Sequence, residues 1–237
     1  MAFLVGKNRF FFFLLVLLSC VILVVLAGNE EDCQNWADVG ECEKNPAYML
    51  NHCAKACRRV TQMQQQQQEK LLKSITSVYD LKVPDIDGNL IDFDTFRGQV
   101  VVLTNVASYC GYTESHYQGL VQLWSQLGSS GNFHLLAFPC NQFGNQEPGT
   151  AQEIKEFAQE KGVQFTMMSK VSVNGPQTDL VYVYLKKHAK NAPNTIQWNF
   201  ATYFVIEPNG DVTAYNGVEP MQLQDTIADL MARGEEL

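Results

Sequence analysis

Cys110 is the residue of this chain best placed to act as a nucleophile. It lies in Asn105-Val106-Ala107-Ser108-Tyr109-Cys110-Gly111-Tyr112-Thr113, where an apolar, β-branched run from Val100 to Val106 gives way, with Gly111 as punctuation, to a segment of helical period. The larger apolar residues between Tyr112 and Leu127 fall at Tyr117, Leu120, Val121, Trp124 and Leu127. This pattern predicts a strand that delivers a thiol to the start of a helix, beside free backbone N–H groups. A free thiol has a pKa of about 8.5, so roughly 3 % is thiolate at neutral pH, and the positive end of a helix favours the anion. The alternative is an inert buried cysteine, since Cys is among the residue types most often found inside.

Two further segments supply groups that suit a thiolate reaction. Ala137-Phe138-Pro139-Cys140-Asn141-Gln142-Phe143-Gly144-Asn145-Gln146-Glu147-Pro148-Gly149 follows an expected strand at Phe133 to Phe138 and brings a second thiol and several amides to the same sheet end. Gln197-Trp198-Asn199-Phe200 precedes an expected strand at Tyr203 to Ile206 and supplies an indole N–H and a carboxamide. Such uncharged donors stabilise the negative charge that develops on a leaving oxygen when a thiolate attacks a peroxide, with no metal required. Each residue also has a structural reading: Trp198 as a core aromatic, Gln146 as a solvated loop amide, Asn199 as a strand-end cap.

The elements that must position these groups follow from the remaining pattern. Val78 to Val83, the turn Asp87-Gly88 and Leu90 to Phe93 predict a hairpin. Helices are expected at Ala151 to Lys161, Leu180 to Ala189 and Leu223 to Ala232, with strands near Met168 to Val173 and at Val212 to Tyr215. Thr150 followed by Glu153 is a capping box for the first of these helices. Strands alternating with helices and ending in a hairpin and a helix predict an α/β domain of thioredoxin-like type, three layers deep, with a central mixed sheet flanked by helices.

Composition narrows the function classes. The 237 residues are 46% hydrophobic and 18% charged, enough for one substantial globular domain with smaller attachments. The formal charge is −8, from 17 basic and 25 acidic residues, with no basic tract, which excludes a nucleic-acid partner. The seven cysteines form three groups: Cys20, the set Cys33, Cys42, Cys53 and Cys57, and the separated pair Cys110 and Cys140. Lys7 and Arg9 precede the apolar run Phe10 to Leu26, and Ala27-Gly28 follows it, so residues 1–27 read as a secretory signal peptide or a signal anchor. Either reading sends the rest of the chain into an oxidising lumen. There the cysteine-dense segment 32–58 is expected to be stapled by two disulfides; spacing leaves three pairings open, with zinc as the rival. Residues 59–77, with Gln64 to Gln68 unbroken, read as a linker with local helix, ahead of the main domain at 78–234.

Two resemblances sharpen these expectations. Cys33-Gln34-Asn35-Trp36-Ala37, Gly40-Glu41-Cys42, Asn45-Pro46, Tyr48-Met49, Cys53 and Cys57 together resemble the ShK-toxin-like domain without its first and last cysteines, which bond to each other in that family. The resemblance implies the bridges Cys33–Cys53 and Cys42–Cys57. Ala47 stands before Tyr48 where channel-blocking members carry lysine, so a spacer, substrate-presenting or partner-binding module is the expectation.

The motifs Asn-Val-Ala-Ser-x-Cys-Gly-x-Thr at Asn105 to Thr113, Phe-Pro-Cys-Asn-Gln-Phe-Gly-x-Gln-Glu-Pro-Gly at Phe138 to Gly149 and Trp-Asn-Phe at Trp198 to Phe200 resemble the glutathione peroxidase family. The resemblance implies a catalytic tetrad of Cys110, Gln146, Trp198 and Asn199, no cofactor or metal beyond a thiol reductant as co-substrate, and a hydrogen peroxide or organic hydroperoxide substrate. Cysteine stands where selenium-dependent members have selenocysteine. The short connection from Val171 to Trp198 lacks the insertion of tetrameric members, which implies a monomer. No arginine lies near Tyr112 to Tyr117 to meet glutathione, and no resolving cysteine lies at Phe157 to Glu160, leaving Cys140 as the candidate internal resolving thiol.

The chain is most similar to the endoplasmic-reticulum branch of that family, which passes oxidising equivalents to protein disulfide isomerase. Glu235-Glu236-Leu237 resembles the retrieval tail of that branch. The competing readings are a glutathione- or thioredoxin-dependent peroxidase acting on phospholipid hydroperoxides, and a catalytically silent secreted binding protein.

Overall fold

The computed structural model describes residues 29–234. The expected signal segment and retrieval tail lie outside the described residues. The chain divides into two compact units, Met1–Gln67 and Gln68–Leu237. Among the described residues no helix is long and apolar enough to cross a membrane.

The first unit is helical: α1 (Glu30–Asp38), α2 (Glu41–Lys44), α3 (Pro46–His52) and the opening turns of α4 (Ala54–Ser74). Asn29 caps α1 by accepting from the Asp32 N–H at 2.7 Å, and three acids in the first turn suit the positive helix end. Among the described residues the unit's core consists of Cys33, Ala37, Met49, Cys53, Ala56 and Cys57, too few to hold a fold by apolar burial alone. Disulfides Cys33–Cys53 and Cys42–Cys57 make up the difference, in the pairing the ShK resemblance implies. The glutamine run is helical throughout as part of α4, because glutamine is a good helix former even without an apolar face.

The second unit opens differently from the hairpin expected at Val78 to Phe93. Val78–Asp80 is a 3₁₀ turn instead of strand, because the Asp80 carboxylate accepts from the Thr76 and Ser77 N–H groups at 2.8 and 2.9 Å and curls the chain. The hairpin is therefore shorter: β1 (Lys82–Pro84) pairs antiparallel with β2 (Leu90–Asp92), with Gly88 at φ 85° in the turn. Then follow β3 (Val100–Val106), α5 (Thr113–Leu127), β4 (Phe133–Pro139), α6 (Ala151–Glu160), β5 (Thr166–Met167), α7 (Leu180–His188), β6 (Thr202–Ile206), β7 (Val212–Asn216) and α8 (Gln224–Gly234). The expected strand at Met168 to Val173 is only Thr166–Met167. Beyond it the pairing with β4 thins to single bonds, from the Met168 N–H to Ala137 O at 2.8 Å and from the Val171 N–H to Pro139 O at 2.9 Å.

The sheet order is β5-β4-β3-β6-β7, with β3 parallel to β4 and antiparallel to β6. Every residue of β3 is buried, so its side chains divide by alternation between two cores. Val101 and Leu103 face one core with Leu136, Phe138, Phe204 and the α7 residues Val181, Tyr182 and Leu185. Val100, Val102 and Val106 face the other with Tyr117 and Leu120 of α5, Ile154 of α6 and Ile227 of α8. The result is a thioredoxin-like three-layer domain.

Candidate active site

Strands β3 and β4 run in register from Val100↔Phe133 to Val106↔Pro139, so both end at one rim. The loop after β3 carries Cys110, 8 % exposed, one turn before α5 begins. Thr113 ties that loop: its Oγ1 accepts from the Cys110 N–H at 3.0 Å and donates to Ala107 O at 2.7 Å. The loop after β4 carries Gln146 and touches the first directly, since the Tyr109 N–H donates to Gln146 O at 3.0 Å. Asn145, at φ 52°, makes the left-handed step that turns the chain into Gln146.

The third segment joins through side chains. Asn199 is fully buried, and its Nδ2 donates to Gln146 Oε1 at 3.5 Å. Its Oδ1 accepts from Asn105 Nδ2 at 3.0 Å, and the same Asn105 amide reaches Trp198 O at 3.3 Å. Phe200, at φ 63° and buried, donates its N–H to Asn105 O at 2.8 Å. A bulky residue held in the left-handed region costs about 1–3 kcal/mol, and here the surrounding bonds fix it next to Asn199. Trp198 is 38 % exposed, with its ring 5.5 Å from that of Phe143.

Asn105 is the residue that sequence reasoning quoted in a motif without a role. Its signal was available: a carboxamide next to Thr104 in a strand whose other residues are all apolar must have a partner once buried. Gln142, left outside the tetrad, anchors its loop by accepting from the Val173 and Asn174 N–H groups at 2.7 and 2.9 Å.

Cys140 lies elsewhere. Its N–H continues the β3 ladder by donating to Val106 O at 2.9 Å, but its side chain is 0 % exposed and belongs to the core on the face opposite that of Cys110. Burial pushes the Cys140 thiol above its ordinary pKa. Both cysteines are free.

Beside Trp198 and Asn199 opens a cleft of about 350 Å³ lined also by Tyr112, His116, Phe200 and Glu219. His116 Nδ1 lies 2.6 Å from the Tyr203 hydroxyl, and its Nε2 lies 3.5 Å from Glu219 Oε2. Burial holds His116 below the ordinary imidazole pKa, and Glu219 pulls it part of the way back. Apart from that imidazole, the ionisable lining groups are the Tyr112 phenol and the Glu219 carboxylate; no lysine or arginine lines the cleft. Among the described residues no cluster of His, Cys, Asp and Glu could hold a metal ion.

The family model for glutathione peroxidase matches residues 78–186, and that for ShK domain-like matches residues 20–59. The chain is 43% identical over 159 residues to glutathione peroxidase 7, chloroplastic, of Arabidopsis thaliana, covering 66% of this chain and 68% of that one. It is 44% identical over 154 residues to the phospholipid hydroperoxide glutathione peroxidase of Sus scrofa, covering 64% of this chain and 76% of the other. The crystal structure of T. cruzi GPX1 superposes with a TM-score of 0.54 at 28% identity, over 66% of this chain and 97% of that one. A thiol in a thioredoxin-like frame, three converging motifs and relatives matched over more than two thirds of their length lead to one assignment: the chain belongs to the glutathione peroxidase family and is a peroxidase of the oxidoreductase class.

Proposed function

We propose that Cys110 is the peroxidatic nucleophile and that Gln146, Trp198 and Asn199 hold its thiolate and polarise the peroxide. The thiolate attacks one peroxide oxygen, the O–O bond breaks, and the departing alkoxide or hydroxide takes a proton, leaving Cys110 as a sulfenic acid. A thiol then condenses with that sulfenic acid, releasing water and forming a disulfide, which a second thiol reduces to regenerate the thiolate. The observation that carries this reading is the hydrogen-bond chain from Asn105 through Asn199 to Gln146, which brings two distant loops to the rim that bears Cys110.

The reductant we infer is a protein dithiol of the protein disulfide isomerase kind, acting on a monomer in the secretory lumen. Two observations support it. The disulfides of the first unit need an oxidising compartment to form and persist. The cleft offers glutathione's carboxylates a carboxylate, Glu219, and no lysine or arginine. An incoming thiol suits the sulfenic acid better than Cys140, which is fully buried on the other face of the sheet. The second reading, a glutathione-dependent phospholipid hydroperoxide peroxidase, is favoured by the activity for which the porcine relative is named.

Turnover of hydrogen peroxide and a phospholipid hydroperoxide, with glutathione, thioredoxin or protein disulfide isomerase as donor, separates the two. The isomerase is expected to give the highest kcat/KM. Cys110→Ser is expected to abolish stoichiometric thiol oxidation, read by intact mass; persistence of both oxidation and turnover in that variant would overturn the assignment of the nucleophile.

A further inference from the structure

Glu147 is fully buried, next to a tetrad candidate, and the reaction sequence above gives it no part. Its Oε1 accepts from Ser108 Oγ at 2.7 Å, and its N–H donates to Asn141 Oδ1 at 2.8 Å. Its Oε2 and the hydroxyl of Tyr117, on α5, are both buried without a hydrogen-bond partner. Ser108 stands two residues before Cys110, and the bond from the Tyr109 N–H to Gln146 O lies beside the Ser108–Glu147 bond. These two bonds tie the nucleophile loop to the loop that carries Gln146.

We propose that Glu147 is a positioning residue of the peroxidase reaction, whose buried carboxyl registers the Cys110 loop against Gln146 through Ser108. A carboxylate with a single hydroxyl donor and one bare oxygen is costly to bury, and the neutral acid costs less. Burial accordingly holds the Glu147 carboxyl above the ordinary carboxylate range, opposed by the Ser108 bond and by Lys170. Ser108 on the nucleophile loop and Asn141 on its own loop contact it, and Tyr117 on α5, Cys140 and Lys170 lie within electrostatic reach. Its charge, when formed, pushes the Tyr117 and Cys140 pKa values up. Raising the pH through the elevated Glu147 pKa charges a carboxyl whose buried Oε2 has no donor, which favours parting of the two loops it joins.

This inference rests on Cys110 as the nucleophile, which the loss of oxidation in Cys110→Ser tests by itself. The full chain would be mixed with hydrogen peroxide and the rate constant of Cys110 oxidation followed from pH 5 to pH 9 in wild type, Glu147→Gln, Glu147→Ala and Ser108→Ala. Glu147→Gln keeps the acceptor for Ser108 without the charge, so its rate at pH 5 is expected to match wild type within about threefold, and its ratio to wild type to rise with pH. Glu147→Ala and Ser108→Ala free the loop and are expected to lose about tenfold or more, since small misplacements of a reacting group are costly. A flat ratio for Glu147→Gln across the range, or a folded Glu147→Ala with wild-type rate and profile, would overturn the proposal. Should Glu147→Ala fail to fold, the Glu147→Gln profile and the Ser108→Ala rate decide alone.

Discussion

At the scale of single residues, Asn199 is the joint of the site: it donates to Gln146 and accepts from Asn105, and both contacts link segments far apart in sequence. Asn199→Ala removes a preorganised donor from the rim and leaves the Asn105 amide without its carboxamide partner. The rate of Cys110 oxidation is expected to fall about 10²-fold, the usual cost of deleting one such donor. A stopped-flow rate within about threefold of wild type would remove Asn199 from the tetrad. Glu219 tests specificity instead. Its carboxylate is exposed at the cleft and 3.5 Å from His116. Glu219→Lys turns a repulsion for glutathione's carboxylates into an attraction, and kcat/KM for glutathione is expected to rise about fivefold at low salt and less at high salt. No rise at any ionic strength would mean that charge at the cleft does not select the reductant.

At the scale of elements, α6 follows the loop of Gln146 and Glu147, and its start is fixed by a capping box in which Thr150 Oγ1 accepts from the Glu153 N–H while the Glu153 carboxylate accepts from the Thr150 N–H at 2.7 Å. Thr150→Ala is expected to destabilise the second unit by about 1 kcal/mol, read by urea unfolding, with little change in peroxide rate. This box, β3, β4 and α5 were all legible in the sequence because local chemistry and burial agree there. Val78–Asp80 was not, because one side chain, Asp80, overrides an apolar run that otherwise suits a strand. The helical glutamine run had propensity without periodicity, and periodicity is what a sequence reading weighs most. The candidacy of Cys110, Gln146, Trp198 and Asn199 was legible in their motifs. Their joint at Asn105, and the bond from Ser108 to Glu147, were not, because each depends on a register that only the folded sheet defines.

At the scale of the whole molecule, the two units obtain their stability from different sources. The second buries two apolar cores, one on each face of a five-stranded sheet, and every residue of both cores lies at Leu72 or beyond. The first, among the described residues, buries a cluster of six, three of them cystine halves. Breaking Cys33–Cys53, which closes a sequence separation of 20 residues, costs about 3 kcal/mol through the entropy of the unfolded chain, and a core of this size has little to offset it. Cys33→Ser with Cys53→Ser in the full chain is therefore expected to melt α1 to α3, seen as lost helical circular dichroism and faster proteolysis between residues 30 and 53. The oxidation rate of Cys110 by hydrogen peroxide is expected to stay at the wild-type value, because the bonds that join Asn105, Asn199, Gln146 and the Cys110 loop are all made within the second unit. A rate reduced more than about threefold would show that the disulfide-stapled unit supports the chemistry itself. An unchanged rate with hydrogen peroxide, combined with a lower kcat/KM for a protein dithiol, would assign that unit to partner recognition.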